Sequence, residues 1–381
     1  MIMKNEDGQK GKIILVTDRL GSFYLNGAQV IATAIIRELA GSFDLTVVVR
    51  DIFSDIQSFD VTVIRIDLTC SNVVELLSSV MNDDVCLIYN LGATSFSCEI
   101  TNALISMNKA IPFINHFQLI LPEYARLEEW GGDEIAHIRE HCLFLAEKAI
   151  CNIFPSHSEL GVATRLGWQI YRTKNYVIPN AYVPVPKSNL EDSKVSRKNF
   201  EFIAVGRFSD YVKGGDLVYR AFSRVFKKFP DCRLTIVSDS PRFSELLFDL
   251  PDNVWSYYAW LTRTEVLSKM KQSDVVIIPS RYEPFGLVCV EAMALGKPVI
   301  AQATGGLVEI VHHKKTGWLC DPREGSRGIE NAMIEAFNSK EKLESMGKAA
   351  QGRVEEKFRF SHMIIEIRVL LENILYTQKV Y

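Results

Sequence analysis

Glu283 and Glu291 stand in a run that reads Pro279-Ser280-Arg281-Tyr282-Glu283-Pro284-Phe285-Gly286-Leu287 and continues to Glu291-Ala292-Met293-Ala294-Leu295-Gly296. A short apolar run ends at Ser280, a tight Pro/Gly loop follows, and helical spacing begins near Gly286. At such a helix start the amides of Gly286, Leu287 and Val288 have no intrahelical acceptor. Together with the helix dipole they form a ready site for an anion. Glu283 then lies on a loop at the carboxyl end of a strand, where open α/β sheets bind ligands, and Glu291 lies about one turn inside the helix. Either glutamate alone reads as a solvated or turn residue. The pair flanking an anion-binding loop reads as a site.

A second constellation is Val205-Gly206-Arg207 followed by Lys213-Gly214-Gly215-Asp216. A fork-shaped guanidinium and a point-charge ammonium beside a flexible loop suit a diphosphate; the plain alternative is two exposed basic residues on a surface loop. His116 follows the apolar run ending at Asn115, a position where a lone histidine is more often structural. Asn26-Gly27 precede the helical pattern Ala28–Leu39, and Gly27, lacking a Cβ, allows close backbone approach. Ser156 with Glu159, and Thr262 with Glu265, have the spacing of helix capping boxes, which explains them without chemistry.

The context Pro-Ser-x-x-Glu-x-Phe-Gly-x-x-x-x-Glu-Ala-Met-Ala-x-Gly-x-Pro resembles the signature of family-four retaining glycosyltransferases, glycosyl transferase group 1, of GT-B fold. The resemblance is strong from Ile203 to Pro322 and loose before it. It implies a donor-sugar contact for Glu283, ribose contacts for Glu291, and the nucleotide's diphosphate for Arg207 and Lys213. It implies a place over the donor sugar for His116 and a close approach to the donor phosphate for Gly27. Gly305-Gly306 match a further loop facing the sugar, with a structural turn as the competing reading. The implied reaction displaces a nucleoside diphosphate by an acceptor hydroxyl with retention at the anomeric carbon. Fixed cations and dipoles neutralise the leaving group, so no metal and no cofactor is expected. The implied donor is a nucleotide-diphosphate sugar (UDP first, GDP next) and the acceptor a glycan or lipid-linked hydroxyl, in glycan or polysaccharide biosynthesis. A non-catalytic nucleotide-sugar-binding protein on the same fold is the alternative.

These residues need a scaffold, and the hydrophobic pattern supplies one. Ile13–Val16, Leu45–Val49, Val85–Tyr89, Pro112–Asn115 and Ile150–Phe154 are short, continuously apolar runs that read as buried strands. Ala28–Leu39, Val73–Val80 and Ile135–Ala146 between them have helical spacing. The grammar repeats with strands Phe200–Val205, Leu234–Val237, Val254–Tyr258, Val275–Pro279 and Val299–Ala301, and with helices Gly215–Phe226, Arg263–Met270 and Leu287–Leu295. Beyond Asp321 the pattern is helical to Tyr376, and Pro184–Lys198 reads as a linker. The expected class is α/β: two Rossmann-like domains with a cleft between them, residues 1–182 on the acceptor side and residues 183–358 for the donor. Residues 359–381 are expected to form a helix that crosses back onto the first domain.

Composition narrows the partners. Residues 1–182 carry 14 Lys and Arg against 21 Asp and Glu, and the remainder 29 against 25, for a net charge of −3. An acidic first half argues against nucleic acid and against more than peripheral membrane contact. Eight scattered cysteines without a Cys-x-x-Cys pair, and no apolar run long enough for a signal core or a span, point to the cytoplasm. Leu20-Gly21-Ser22-Phe23-Tyr24-Leu25 after the first strand lacks G-x-G-x-x-G, which sets a nicotinamide dehydrogenase aside. The pattern departs from the family at Ser238, Ser240, Ala259 and Ala181, where glycine is usual, so these loops are expected to be rebuilt.

Overall fold

The computed structural model describes residues 12–21, 27–53, 61–70, 72–92, 94–186, 199–242, 244–259 and 261–378. Asn26, residues 22–25 and linker residues 187–198 lie outside them. The chain divides into two compact units, residues 1–179 with 361–381, and residues 180–360.

The first unit holds a seven-stranded sheet of β1 (Lys12–Gly21), β2 (Asp44–Phe53), β3 (Thr62–Arg65), β4 (Val85–Gly92), β5 (Phe113–Phe117), β6 (Cys151–Phe154) and β7 (Lys174–Val177). Its order is β3-β2-β1-β4-β5-β6-β7, and every pairing is parallel. Helices α1 (Gly27–Ala40), α2 (Val73–Val80), α3 (Ser95–Met107), α4 (Leu121–Leu127), α5 (Gly132–Lys148) and α6 (His157–Arg165) belong to this unit. Central strands are mostly apolar because both faces of a parallel sheet are covered; Ile13, Ile14, Leu15 and Val16 are fully buried. β3 and β7 escape the sequence reading because they are half-exposed edges with polar alternation, as in Lys174-Asn175-Tyr176-Val177.

A row of amides crosses this core. Asn90, Asn115, Asn152 and Asn175 are register partners on β4 to β7. Each side chain donates to the next, Asn90 to Asn115 at 3.0 Å, Asn115 to Asn152 at 3.2 Å and Asn152 to Asn175 at 3.2 Å. A one-residue slip would turn every one of these amides to the other face and strand it in hydrocarbon, so the row pins the register of β5, the strand that carries His116.

The second unit holds β8 (Phe200–Val205), β9 (Cys232–Val237), β10 (Trp255–Tyr258), β11 (Val275–Ile278), β12 (Val299–Gln302) and β13 (Gly317–Cys320), in the order β10-β9-β8-β11-β12-β13. Helices α7 (Gly215–Lys228), α8 (Arg263–Gln272), α9 (Leu287–Ala294), α10 (Leu307–Ile310), α11 (Ser326–Asn338) and α12 (Leu343–Lys357) follow, and α13 (Phe360–Gln378) closes the chain. Phe202, Phe208, Tyr219 and Phe222 lead a large apolar cluster under the sheet. Strand order reverses between β8 and β11. Successive connections run outward from that pair on opposite sides, which leaves a crevice at their carboxyl ends. No helix of the described residues is long and apolar enough to cross a membrane.

Candidate functional site

The loops that leave β8 and β11 carry the second unit's candidate cations and Glu283. After β8 the chain passes Arg207, whose Nη2 lies 2.8 Å from Asp210 Oδ2, and enters a 3₁₀ turn, Tyr211–Lys213. Gly214 ends that turn at φ +69°, and a Cβ there would lie 2.1 Å from the carbonyl oxygen of Pro279 at the end of β11. Both demands select glycine. Arg281 ties the two loops together. Its amide donates to the Val212 carbonyl at 2.7 Å, its Nη1 to the Tyr211 carbonyl at 2.9 Å and its Nη2 to Asp216 Oδ2 at 2.8 Å. Its guanidinium also stands 4.0 Å over the Tyr211 ring. Lys213 is thereby delivered to Glu283: Nζ donates to Oε2 at 2.9 Å, and Ser280 Oγ donates to the same oxygen at 3.0 Å. These side chains are 20% and 14% exposed, so the pair is sheltered but reachable.

The loop holding Glu283 rests on Gly305-Gly306. The Gly306 amide donates to the Glu283 carbonyl at 2.8 Å. Gly305 has φ +52°, and a Cβ on it would lie 1.9 Å from that same carbonyl oxygen. Gly306 is also the N-cap of α10, so these glycines both start a helix and pack closely under the glutamate loop. Gly286 is the N-cap of α9, with Leu287 at its first position. The first intrahelical bond runs from the Val290 amide to the Gly286 carbonyl at 3.1 Å, so the amides of Gly286, Leu287 and Val288 precede the helical ladder.

Glu291 is fully buried, and its Oε1 accepts from Arg263 Nε at 2.8 Å. Sequence reasoning saw Arg263 only as part of a helix start; nothing in its neighbourhood signals a partner 28 residues away. Ser280 and Arg281 were inside the quoted motif but had no assigned task.

At Ser238 the loop is held by side chains. Ser238 Oγ accepts from the Phe208 amide at 3.0 Å, and Asp239 Oδ1 from the Ser209 amide at 3.3 Å. Among the described residues the non-glycine positions with positive φ are Glu129 and Lys314, so Ala181, Ser238, Ser240 and Ala259 have ordinary backbones.

In the first unit, Gly27 is the first residue of α1. His116 is fully buried, with Nδ1 2.8 Å from the Tyr89 hydroxyl and Nε2 without a hydrogen-bond partner. Burial lowers its pKa to about 3, leaving the imidazole neutral. Ser156 accepts from the Glu159 amide at 3.0 Å, the helix cap expected of it, and Glu159 reaches the Ile120 amide. Among the described residues no group of three or more His, Cys, Asp or Glu is placed to hold a metal ion.

Two parallel sheets under helices, with charged loops at a strand-order reversal, define the α/β class, and the fold is GT-B. Residues 187–353 match the family described as glycosyl transferases group 1. The chain is 27% identical over 187 residues to the N-acetyl-alpha-D-glucosaminyl L-malate synthase of Bacillus anthracis, covering 49% of this chain and 48% of that one. It is 30% identical over 162 residues to a glycogen synthase of Mycobacterium tuberculosis, covering 42% and 39%. The chain thus spans less than two thirds of either relative. Sucrose-phosphate synthase from Thermosynechococcus elongatus superposes with a TM-score of 0.76 at 20% identity, over 97% of this chain and 100% of that one. Anabaena HepE, in complex with UDP-glucose, superposes with a TM-score of 0.77 at 20% identity, over 95% and 99%. At that identity the likeness establishes the fold.

Proposed function

We propose that this chain is a retaining, metal-independent glycosyltransferase, moving a sugar from a nucleotide-diphosphate donor to an acceptor hydroxyl in glycan or polysaccharide synthesis. The observation that carries it is the Lys213–Glu283 pair at the reversal between β8 and β11, beside the amides that open α9. The cations and the amides of Gly286, Leu287 and Val288 suit the charge that develops on a leaving diphosphate, and preorganised dipoles of this kind are usually the largest catalytic term. Glu283 meets the transferred sugar and Glu291 the ribose. Arg207 and Lys213 hold the diphosphate, and Gly27 lets the backbone approach it. His116 is assigned to the donor sugar; its Nε2 is one of several buried polar atoms without a hydrogen-bond partner.

UDP-sugars come first and GDP-sugars next. A complex of a structural neighbour with UDP-glucose supports that order. The acceptor, a glycan or lipid-linked hydroxyl, belongs to the unit of residues 1–179, and the reaction to the cytoplasm. A panel of UDP-, GDP- and ADP-sugars, read by thermal shift and by release of nucleoside diphosphate, tests this. Stabilisation by one nucleotide together with turnover is the expected result. Stabilisation without release under any acceptor would favour a sensor, and no response to any member would end the reading.

A further inference from the structure

Glu291 is fully buried, and a carboxylate taken out of water is tolerated when a cation is paired and hydrogen-bonded to it. Arg263 supplies that partner through Nε at 2.8 Å, and is itself only 11% exposed.

Arg263 is also fixed on its other sides. Its Nη2 donates to the Val183 carbonyl at 2.6 Å, and its guanidinium lies 5.9 Å over the Tyr182 ring. It is the first residue of α8, whose N-cap Thr262 and Glu265 bond each other reciprocally. The same construction recurs at the other acid of the motif, where Lys213 from the β8 loop holds Glu283. Each glutamate is thus held by a cation from a different element.

We infer that Arg263 is a positioning residue for nucleotide recognition: it pairs with Glu291 and holds it aimed, so that the carboxylate can accept the ribose hydroxyls of a nucleoside diphosphate. The inference rests on the donor reading above. It carries a consequence that a purely structural ion pair between α8 and α9 lacks. Selectivity for ribose over 2′-deoxyribose depends on a residue that acts only through another.

The test is calorimetry with UDP, GDP and ADP on the wild-type chain, then with the 2′-deoxy form of the tightest binder and with inorganic pyrophosphate. Wild type should prefer the ribonucleotide. Arg263→Gln should bind it about tenfold or more weakly, the scale of one charge-assisted hydrogen bond. It should bind the deoxynucleotide nearly as well as the ribonucleotide and keep its affinity for pyrophosphate, which Arg207 and Lys213 hold. Glu291→Gln should level the two nucleotides in the same way, and the double variant should lose no more than either single one. Arg263→Lys, which retains the charge, should recover part of the preference, and it carries the test if the glutamine variant does not fold. An Arg263→Gln protein that keeps the wild-type preference for ribose overturns the inference. So does one that weakens ribonucleotide, deoxynucleotide and pyrophosphate alike, which marks a structural role. A wild-type chain that binds none of the three nucleotides sinks the donor reading itself, an outcome distinct from both.

Discussion

Replacing Glu283 by Gln changes one charge and almost no volume, and the structure separates its effect on folding from its effect on turnover. Oε2 accepts both hydrogen bonds, from Lys213 Nζ at 2.9 Å and Ser280 Oγ at 3.0 Å. The amide oxygen of Gln can accept both in the same place, so the loop keeps its shape. What is lost is charge assistance, which roughly doubles the strength of such a bond. Discounted for a side chain that is 20% exposed on the lysine side, this is about 1 kcal/mol of stability. In a domain of this size that is a melting shift of roughly 2–4 °C. Turnover should respond far more. A contact with the transferred sugar that strengthens as the anomeric carbon gains positive charge is felt in the transition state, so its loss lowers kcat rather than raising KM. The expected fall is about 10²–10³-fold. Free nucleoside diphosphate should bind as well as before or more tightly, because Lys213 no longer shares its charge with a carboxylate. Steady-state kinetics, a melting curve and a nucleotide titration on the one variant settle the matter. A folded Glu283→Gln enzyme with kcat within threefold of wild type, or one that has lost nucleotide affinity while keeping kcat, refutes the assignment.

Replacing Arg207 or Lys213 by Ala should weaken nucleoside diphosphate binding about ten- to hundredfold with the fold intact, and calorimetry showing wild-type affinity in both would contradict the phosphate assignment. Activity should persist in EDTA; complete loss, restored by magnesium or manganese, would show that the neutralising charge comes from a metal. Gly305→Ala places a Cβ 1.9 Å from the Glu283 carbonyl oxygen, so the glutamate loop must shift by more than about 1 Å, and kcat should drop about a hundredfold; an unchanged rate would show that the loop is free to yield. His116 has a pKa lowered to about 3 by burial. Its stabilising effect is therefore complete above the unfolded value near 6.5 and is lost as pH falls from there towards 3, with a slope of up to about 1.4 kcal/mol per pH unit. Melting curves from pH 7 to pH 4 should lose part of that slope in His116→Gln, and identical slopes would remove His116 as the source.

What was legible in the sequence followed from burial on two faces and from local spacing. The central strands announce themselves because a parallel sheet leaves no room for polar alternation, whereas β3 and β7 sit at edges, where solvent on one side erases the apolar run. Thr262 with Glu265 was readable because a capping box is closed within four residues, and the structure closes it with both bonds. The motif around Glu283 set two acids beside a helix start, but did not tell which cation each acid holds. That choice depends on strand order, because β8 and β11 are neighbours in the sheet although they lie about 70 residues apart in the chain. Arg263 was illegible for the same reason. Its own segment says only that a helix begins there, and its partner becomes visible when α8 and α9 have packed. The residues that could touch a ligand can thus be named from one loop, while the residues that pair with those groups are supplied by the topology. A cation selected for its distance to a buried acid leaves a trace in three dimensions and none in one.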